Sequence, residues 1–123
     1  MAAQARARHR WRHYETAGGQ KPIRRFLDRL SEEDAAEIAA AMADVRRNGL
    51  RAARHLNGRI YEVRADGRDA TYRLLFAQVG NGGRILLALD AFSKKTQKTP
   101  ARSIALATRR LRDWEERGRR GRG

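Results

Sequence analysis

Residues Gly58 to Pro100 constrain this chain more than any other stretch. They read GRIYEVRADGRDATYRLLFAQVGNGGRILLALDAFSKKTQKTP, and two turn signals, Asp66-Gly67 and Gly80-Asn81-Gly82-Gly83, divide them. Between the turns lie three short runs rich in apolar, β-branched and aromatic residues, which predicts a three-stranded antiparallel meander. A basic loop follows the third run, from Ser93 through Lys94, Lys95 and Lys98 to Pro100.

The segments before the meander read as helical support for that sheet. Trp11 to Tyr14 alternates apolar and polar residues and predicts a short edge strand. Pro22 suits a first helical position, and Ile23, Phe26, Leu27 and Leu30 follow on one stripe, so a helix is expected over about 22–30. Ser31, with Asp34 three residues on, has the spacing of an N-cap with an acidic residue at its third position. Ile38, Met42 and Val45 continue an apolar stripe to a left-handed cap at Asn48-Gly49, completing a helical hairpin. Its polar face carries Arg46 and Arg47, which are read as solvated and kept as candidates for nucleic-acid contact. Leu50 to Asn57 reads as an irregular connection in which His55 reads first as structural, with a catalytic role held in reserve because it lies just before the first meander strand.

Beyond Pro100, Ile104, Ala107, Leu111 and Trp114 recur at helical spacing, so a C-terminal helix should run to about Glu116. The ends, 1–10 and 117–123, are arginine-rich and are expected to be a flexible arm and a disordered tail. The fold class is therefore α+β: one domain over 11–116, a small antiparallel sheet with an N-terminal helical hairpin and a C-terminal helix.

Charge narrows the partners. Lys and Arg number 28 against 14 Asp and Glu, a net charge of +14, which favours polyanions such as nucleic acid, a ribosome or an acidic protein. An arginine-heavy composition by itself would give the same excess. Cysteine is absent, which excludes a disulfide framework and thiolate chemistry and fits a reducing cytoplasm. No apolar run approaches the roughly 20 residues of a membrane span. Neither a metal-ligand cluster nor a phosphate-binding glycine loop is evident, so no cofactor or metal is expected.

Strand parity gives the meander two faces. With hairpin tips at Gly67-Arg68 and Asn81-Gly82, Glu62 should face Arg73, Arg64 should face Thr71, and Arg73 should face Asp90. One face then holds Tyr61, Val63, Tyr72, Leu74, Phe76, Ile85, Leu87 and Leu89. The other is apolar at one end, with Leu75, Ala77, Val79, Leu86 and Ala88. At its other end it carries Glu62, Arg64, Thr71, Arg73, Asp90 and Phe92, bordering the lysine loop. Guanidinium and ammonium groups with a carboxylate and an aromatic ring suit a bound RNA phosphate and a stacked base. Arginine can stabilise charge growing on a scissile phosphate, and a lysine or glutamate can take the 2′-hydroxyl proton. The same residues also suit plain cross-strand ion pairing, and on the residues alone both readings stay open.

At these residues the chain resembles a known family. GRIYEVRAD, ATYRLLFA and LDAFSKKTQKTP in this order, with PIRRFLDRLSEED upstream, look like the phage-derived, HigB-like branch of the RelE/HigB toxin superfamily. The resemblance covers about 11–116. It implies the toxin of a type II toxin–antitoxin pair, a ribosome-dependent mRNA endonuclease acting in the cytoplasm without a metal and neutralised by a cognate antitoxin, often a helix-turn-helix protein. By motif, Arg64 and Arg73 match the arginines expected at the scissile phosphate. Lys94, Lys95 and Lys98 match the basic loop, Glu62 belongs to the first-strand motif, and Phe92 is placed to stack on a base. The histidine or tyrosine that some relatives use as acid or base has no evident counterpart. A ParE-like gyrase-inhibiting toxin and a non-catalytic nucleic-acid-binding module are the alternatives.

Overall fold

The computed structural model describes residues 9–94 and 98–122. Five strands form one mixed sheet: β1 (Arg10–His13), β2 (Arg54–Asn57), β3 (Ile60–Asp66), β4 (Thr71–Val79) and β5 (Ile85–Ser93). Their order across the sheet is β1-β5-β4-β3-β2, with β1 parallel to β5 and the remaining pairs antiparallel. Three α-helices accompany them: α1 (Pro22–Asp28), α2 (Glu32–Asn48) and α3 (Ala101–Arg122). The central meander thus stands, widened by β1 on one edge and β2 on the other. The stretch expected to be irregular, Leu50 to Asn57, instead holds a 3-10 turn over Gly49–Ala52 and then β2. No helix among the described residues is long and apolar enough to cross a membrane.

The helix boundaries follow local chemistry. Pro22 opens α1. The Ser31 hydroxyl accepts the Asp34 N–H at 3.1 Å, and Glu32, Glu33 and Asp34 lie in the first turn of α2, where carboxylates meet the positive end of the helix dipole. At the other end of α2, Gly49 takes φ 75°, a left-handed value that glycine adopts without strain. α3 does not stop near Glu116 but continues through the arginine-rich stretch to Arg122. Arg117 holds it there, binding Asp113 one turn back at 2.8 Å and donating to the Glu15 carbonyl at 2.5 Å.

Both faces of the sheet are covered. α1 and α2 lie over Val63, Ala65, Tyr72, Leu74 and Phe76: Phe26 meets Tyr72 edge-on, and the Trp11 indole N–H donates to the Met42 carbonyl at 2.8 Å. α3 lies over the opposite face, where Arg110 donates to the Leu89 carbonyl at 2.7 Å and Ala107 and Leu111 are buried. Leu75, Phe76, Leu86 and Leu87 have no exposed surface, and each such side chain contributes roughly 1.5–3 kcal/mol through burial.

The register differs from the expected one at both hairpins. The first turns at Arg68-Asp69, one residue later than expected, so Glu62 pairs with Leu75 and Arg64 with Arg73. Asp34 explains the shift. Its carboxylate accepts the N–H of Arg68 at 2.7 Å, the N–H of Asp69 at 3.3 Å and the Tyr72 hydroxyl at 2.5 Å. A displacement of two in pairing keeps every side chain on its expected face. The second turn is one residue longer than expected, pairing Val79 with Ile85, and this does swap faces. Ile85 and Leu87 therefore lie with Ala77 and Val79 beneath α3, whereas Leu86 and Ala88 join Phe76. A bulge at Leu89, between the Leu75–Asp90 and Phe76–Ala88 pairs, restores the expected faces for Asp90 and Phe92. Arg73 consequently pairs with Phe92 rather than Asp90.

The Asp34–Tyr72 contact makes stability depend on pH at both ends. The Tyr72 hydroxyl above all, then the two turn amides, hold the Asp34 carboxyl below its ordinary range against the opposing effect of burial. Tyr72 is pushed up to about 12, first by its bond to Asp34 and then by burial. The Asp34 contribution is complete above an unfolded value of about 4 and is lost as pH falls through the lowered folded value. The Tyr72 contribution is complete below about 10 and is lost as pH rises through its folded value. Denaturant melts across pH should show both arms, and Tyr72→Phe should flatten the alkaline one. A phenolate absorbance change assignable to Tyr72 near pH 10 would contradict this.

Candidate nucleic-acid interface

The ends of β3, β4 and β5 bring most of the expected cluster together. Arg64, Arg73 and Phe92 stand side by side on adjacent strands, one row beyond Glu62, Leu75 and Asp90. The Lys94 N–H bonds to the Thr71 carbonyl at 2.9 Å, extending the pairing of β4 and β5 by one residue. Alternation then places Lys94 on the face of Arg73 and Phe92. Arg64 and Lys98 are exposed, Phe92 and Lys94 half-buried. Lys95 lies outside the described residues.

Glu62 and Arg73 belong to the interior of this end of the sheet. Each is 1 % exposed, and Thr99, arriving after the lysine loop, is 6 % exposed above them. Arg73 Nη1 donates to both Glu62 carboxylate oxygens, at 3.2 and 3.4 Å, and to the Thr99 hydroxyl oxygen at 3.1 Å. The Thr99 hydroxyl in turn donates to Glu62. A buried guanidinium is tolerated where a counter-charge matches it, and the equally buried Glu62 carboxylate supplies that charge. The cross-strand ion pair thus falls to Arg73, which is committed to Glu62, and Arg64 is the exposed arginine of the row.

Asp90, one row away, points toward α3. Its carboxylate lies 3.6 Å from Arg110. Burial raises its pKa, with Arg110 and the Ala91 amide pulling the other way. His55 closes the turn before β3: its ring N–H donates to the Gly58 carbonyl at 2.8 Å, and the ring lies 5.0 Å from that of Tyr61. That is the structural role expected of it.

Two basic residues join the cluster that strand patterns in the meander had not included. β2 begins beside Glu62, and there a groove of about 360 Å³ opens at the edge of β3. Arg51, Arg54 and Arg64 line it, with Asp44 from α2 opposite. The missing signal was β2 itself. Read as a strand pairing with β3, RHLN would have set Arg54 next to Glu62. Arg46 and Arg47 occupy the last turn of α2 and are not among the residues lining this groove.

The site therefore combines an exposed arginine, an adjacent lysine and an aromatic ring over a buried ion pair, with two further arginines at the sheet edge. Such a surface can hold a phosphodiester through charge-assisted bonds while a base rests on Phe92. In comparisons with known proteins, the sequence pattern described as phage-derived protein Gp49-like (DUF891) matches residues 25–112. That span includes the end of α1, all of α2, the whole antiparallel part of the sheet and about half of α3. No curated protein is similar enough in sequence to count as a match.

Proposed function

Because the chain belongs to the phage-derived Gp49-like family, a toxin-like family of RelE type, we propose that it is the toxin of a type II toxin–antitoxin pair and cuts mRNA on the ribosome. The observation that carries this reading is the row formed by Arg64 and Phe92 on either side of the buried Arg73, with Lys94 on the same face.

In the proposed reaction the 2′-hydroxyl of one nucleotide passes its proton to solvent water as its oxygen attacks the neighbouring phosphorus. The bond to the 5′-oxygen breaks, leaving a 2′,3′-cyclic phosphate on one fragment and a 5′-hydroxyl on the other. Arg64 holds the non-bridging oxygens, where negative charge grows in the transition state. Lys94 gives a proton to the departing 5′-oxygen, and Lys95 and Lys98 align the strand. Phe92 stacks on a flanking base, and Arg51 and Arg54 extend the basic surface along the backbone. Arg73 and Glu62 act as positioning residues, holding β3, β4 and Thr99 in place. A cognate antitoxin, a helix-turn-helix protein in this reading, silences the toxin in the cytoplasm.

Controlled expression of the wild type, Arg64→Ala and Lys94→Ala, followed by mapping of mRNA ends, tests the proposal. Wild type should arrest growth and leave codon-phased cuts with 5′-hydroxyl ends. Loss of one charge-stabilising donor should reduce cutting by roughly 10²–10³-fold in Arg64→Ala. Growth arrest with intact mRNA and an induced DNA-damage response would overturn it, as would undiminished cutting by both variants.

A further inference from the structure

A second cleft lies at the far end of α3 and shares no residue with the cluster around Arg64. α3 begins after Thr99, beside Glu62, and crosses the sheet to the turn between β4 and β5. There Gly80, Asn81 and Ile85 on one side, and Trp114, Gly118 and Arg119 on the other, enclose about 420 Å³. That is within the range of small-molecule sites and ample for one nucleobase.

The cleft follows from residue choice. A Cβ on Gly118 would meet nothing within 4 Å, so its absence opens space where α3 passes the turn. Gly80 takes φ +80°, and a Cβ there would come within 3.1 Å of Ile85. Glu115, also in the wall, is bound by Arg59 Nη1 through both carboxylate oxygens, at 2.9 and 2.8 Å. Arg59 also donates to the Gln78 carbonyl at 3.1 Å. With that carboxylate neutralised, Arg119 sets the sign of the cleft. The two tryptophans also differ. Trp11 is engaged with the Met42 carbonyl and the edge of Phe76, whereas Trp114 is half-buried with part of its surface lining the cleft.

We propose that this cleft binds an unpaired base of single-stranded RNA, stacked on the Trp114 indole, with the adjoining phosphate on Arg119 and the Asn81 amide at the base edge. An aromatic plane beside a guanidinium is the combination that holds single strands without demanding a sequence. An acidic peptide fits less well, because its carboxylates could meet Arg119 but it offers no flat base to the Trp114 indole. The choice of RNA as ligand rests on the reading of the protein as an RNA-directed toxin; the cleft's geometry does not.

The test uses the full chain with Trp11→Phe, which leaves Trp114 as its one tryptophan. A short single-stranded oligoadenylate should quench its emission saturably, and polyglutamate should not. By anisotropy of labelled RNA, Trp114→Leu should bind about 10-fold more weakly, while Trp114→Phe, which keeps a stacking ring, should retain most of the affinity. Arg119→Ala should lower the salt dependence by about one phosphate contact. Unquenched emission, equal affinity loss in the Leu and Phe variants, or a response to polyglutamate and not to RNA would overturn the proposal. Codon-phased cutting by a chain that shows no quenching would remove the cleft and leave the nuclease reading; quenching without cutting would do the reverse.

Discussion

Arg73→Ala is expected to destabilise the fold by about 3–5 kcal/mol, and Glu62→Ala by a similar amount. Each leaves its partner charged with no exposed surface, and breaking a buried ion pair costs that much because the remaining charge has neither water nor a counter-ion. For a domain whose whole stability is of order 5–15 kcal/mol, the loss is large. Thr99→Val, which removes a hydroxyl and nearly preserves shape, should cost about 1–3 kcal/mol by leaving donors and acceptors unmatched. Replacing Glu62 and Arg73 together with methionine should recover much of the loss, since an apolar pair of similar volume leaves no stranded charge. Urea unfolding of the four variants decides it. A loss below about 1 kcal/mol in both alanine variants would mean that water reaches the pair. The consequence for activity assays is direct. Under the proposed nuclease reading, loss of activity in an Arg73→Ala chain would report folding, and Arg64 and Lys94 are the positions at which loss of cutting would speak to chemistry.

Gly67→Ala is the second substitution expected to be severe. A Cβ at this position would come 2.7 Å from Asp34 Cγ, Asp34 Oδ1 and Tyr72 Cε2. Neither neighbour has freedom to move away. Asp34 is held by the Arg68 and Asp69 amides and by Tyr72, and Tyr72 packs against Phe26. Overpacking at such a fixed point costs roughly 3 kcal/mol, and relief would require loosening the turn that sets the register of β3 on β4. Gly118→Ala, facing open space in a helix, should be neutral or slightly stabilising. Thermal melts of the two variants should therefore move in opposite directions or by very different amounts. Equal melts would contradict the described packing of Asp34 against the hairpin.

Local patterns in the chain reveal its elements well and its pairings less well. Pro22, the Ser31 cap and Gly49 mark helix ends through contacts with residues a few positions away, and those marks hold. The hairpin tip at Arg68-Asp69 depends on Asp34, far earlier in the chain, so no reading of the turn residues alone would place it. The longer second turn and the bulge at Leu89 displace register in the same direction, one step each. Asp90 and Phe92 thereby recover the faces that simple alternation assigns them, while Ile85 to Ala88 do not. The cluster of Arg64, Arg73, Phe92 and Lys94 was legible for that reason. The burial of Arg73 was not, because Thr99 covers it from beyond the lysine loop, and nothing in β4 signals a lid from there. β2 escaped notice because four residues, RHLN, are too few and too polar to show a period.

The pairing of β1 with β5 ties the order of synthesis to the order of folding. Residues 10–13 emerge from the ribosome long before 85–88, their only sheet neighbours among the described residues, so Trp11 must wait while the rest of the sheet is made. Its seam is then sealed from still later in the chain: Tyr14 bonds to Asp113 at 2.6 Å, and Arg117 reaches the Glu15 carbonyl. Such distant pairing is slow to form, and a translation product broken off before Asp113 has nothing to close it with. Interrupted synthesis is therefore expected to yield an open, protease-accessible chain in which the seam between β1 and β5 never closes.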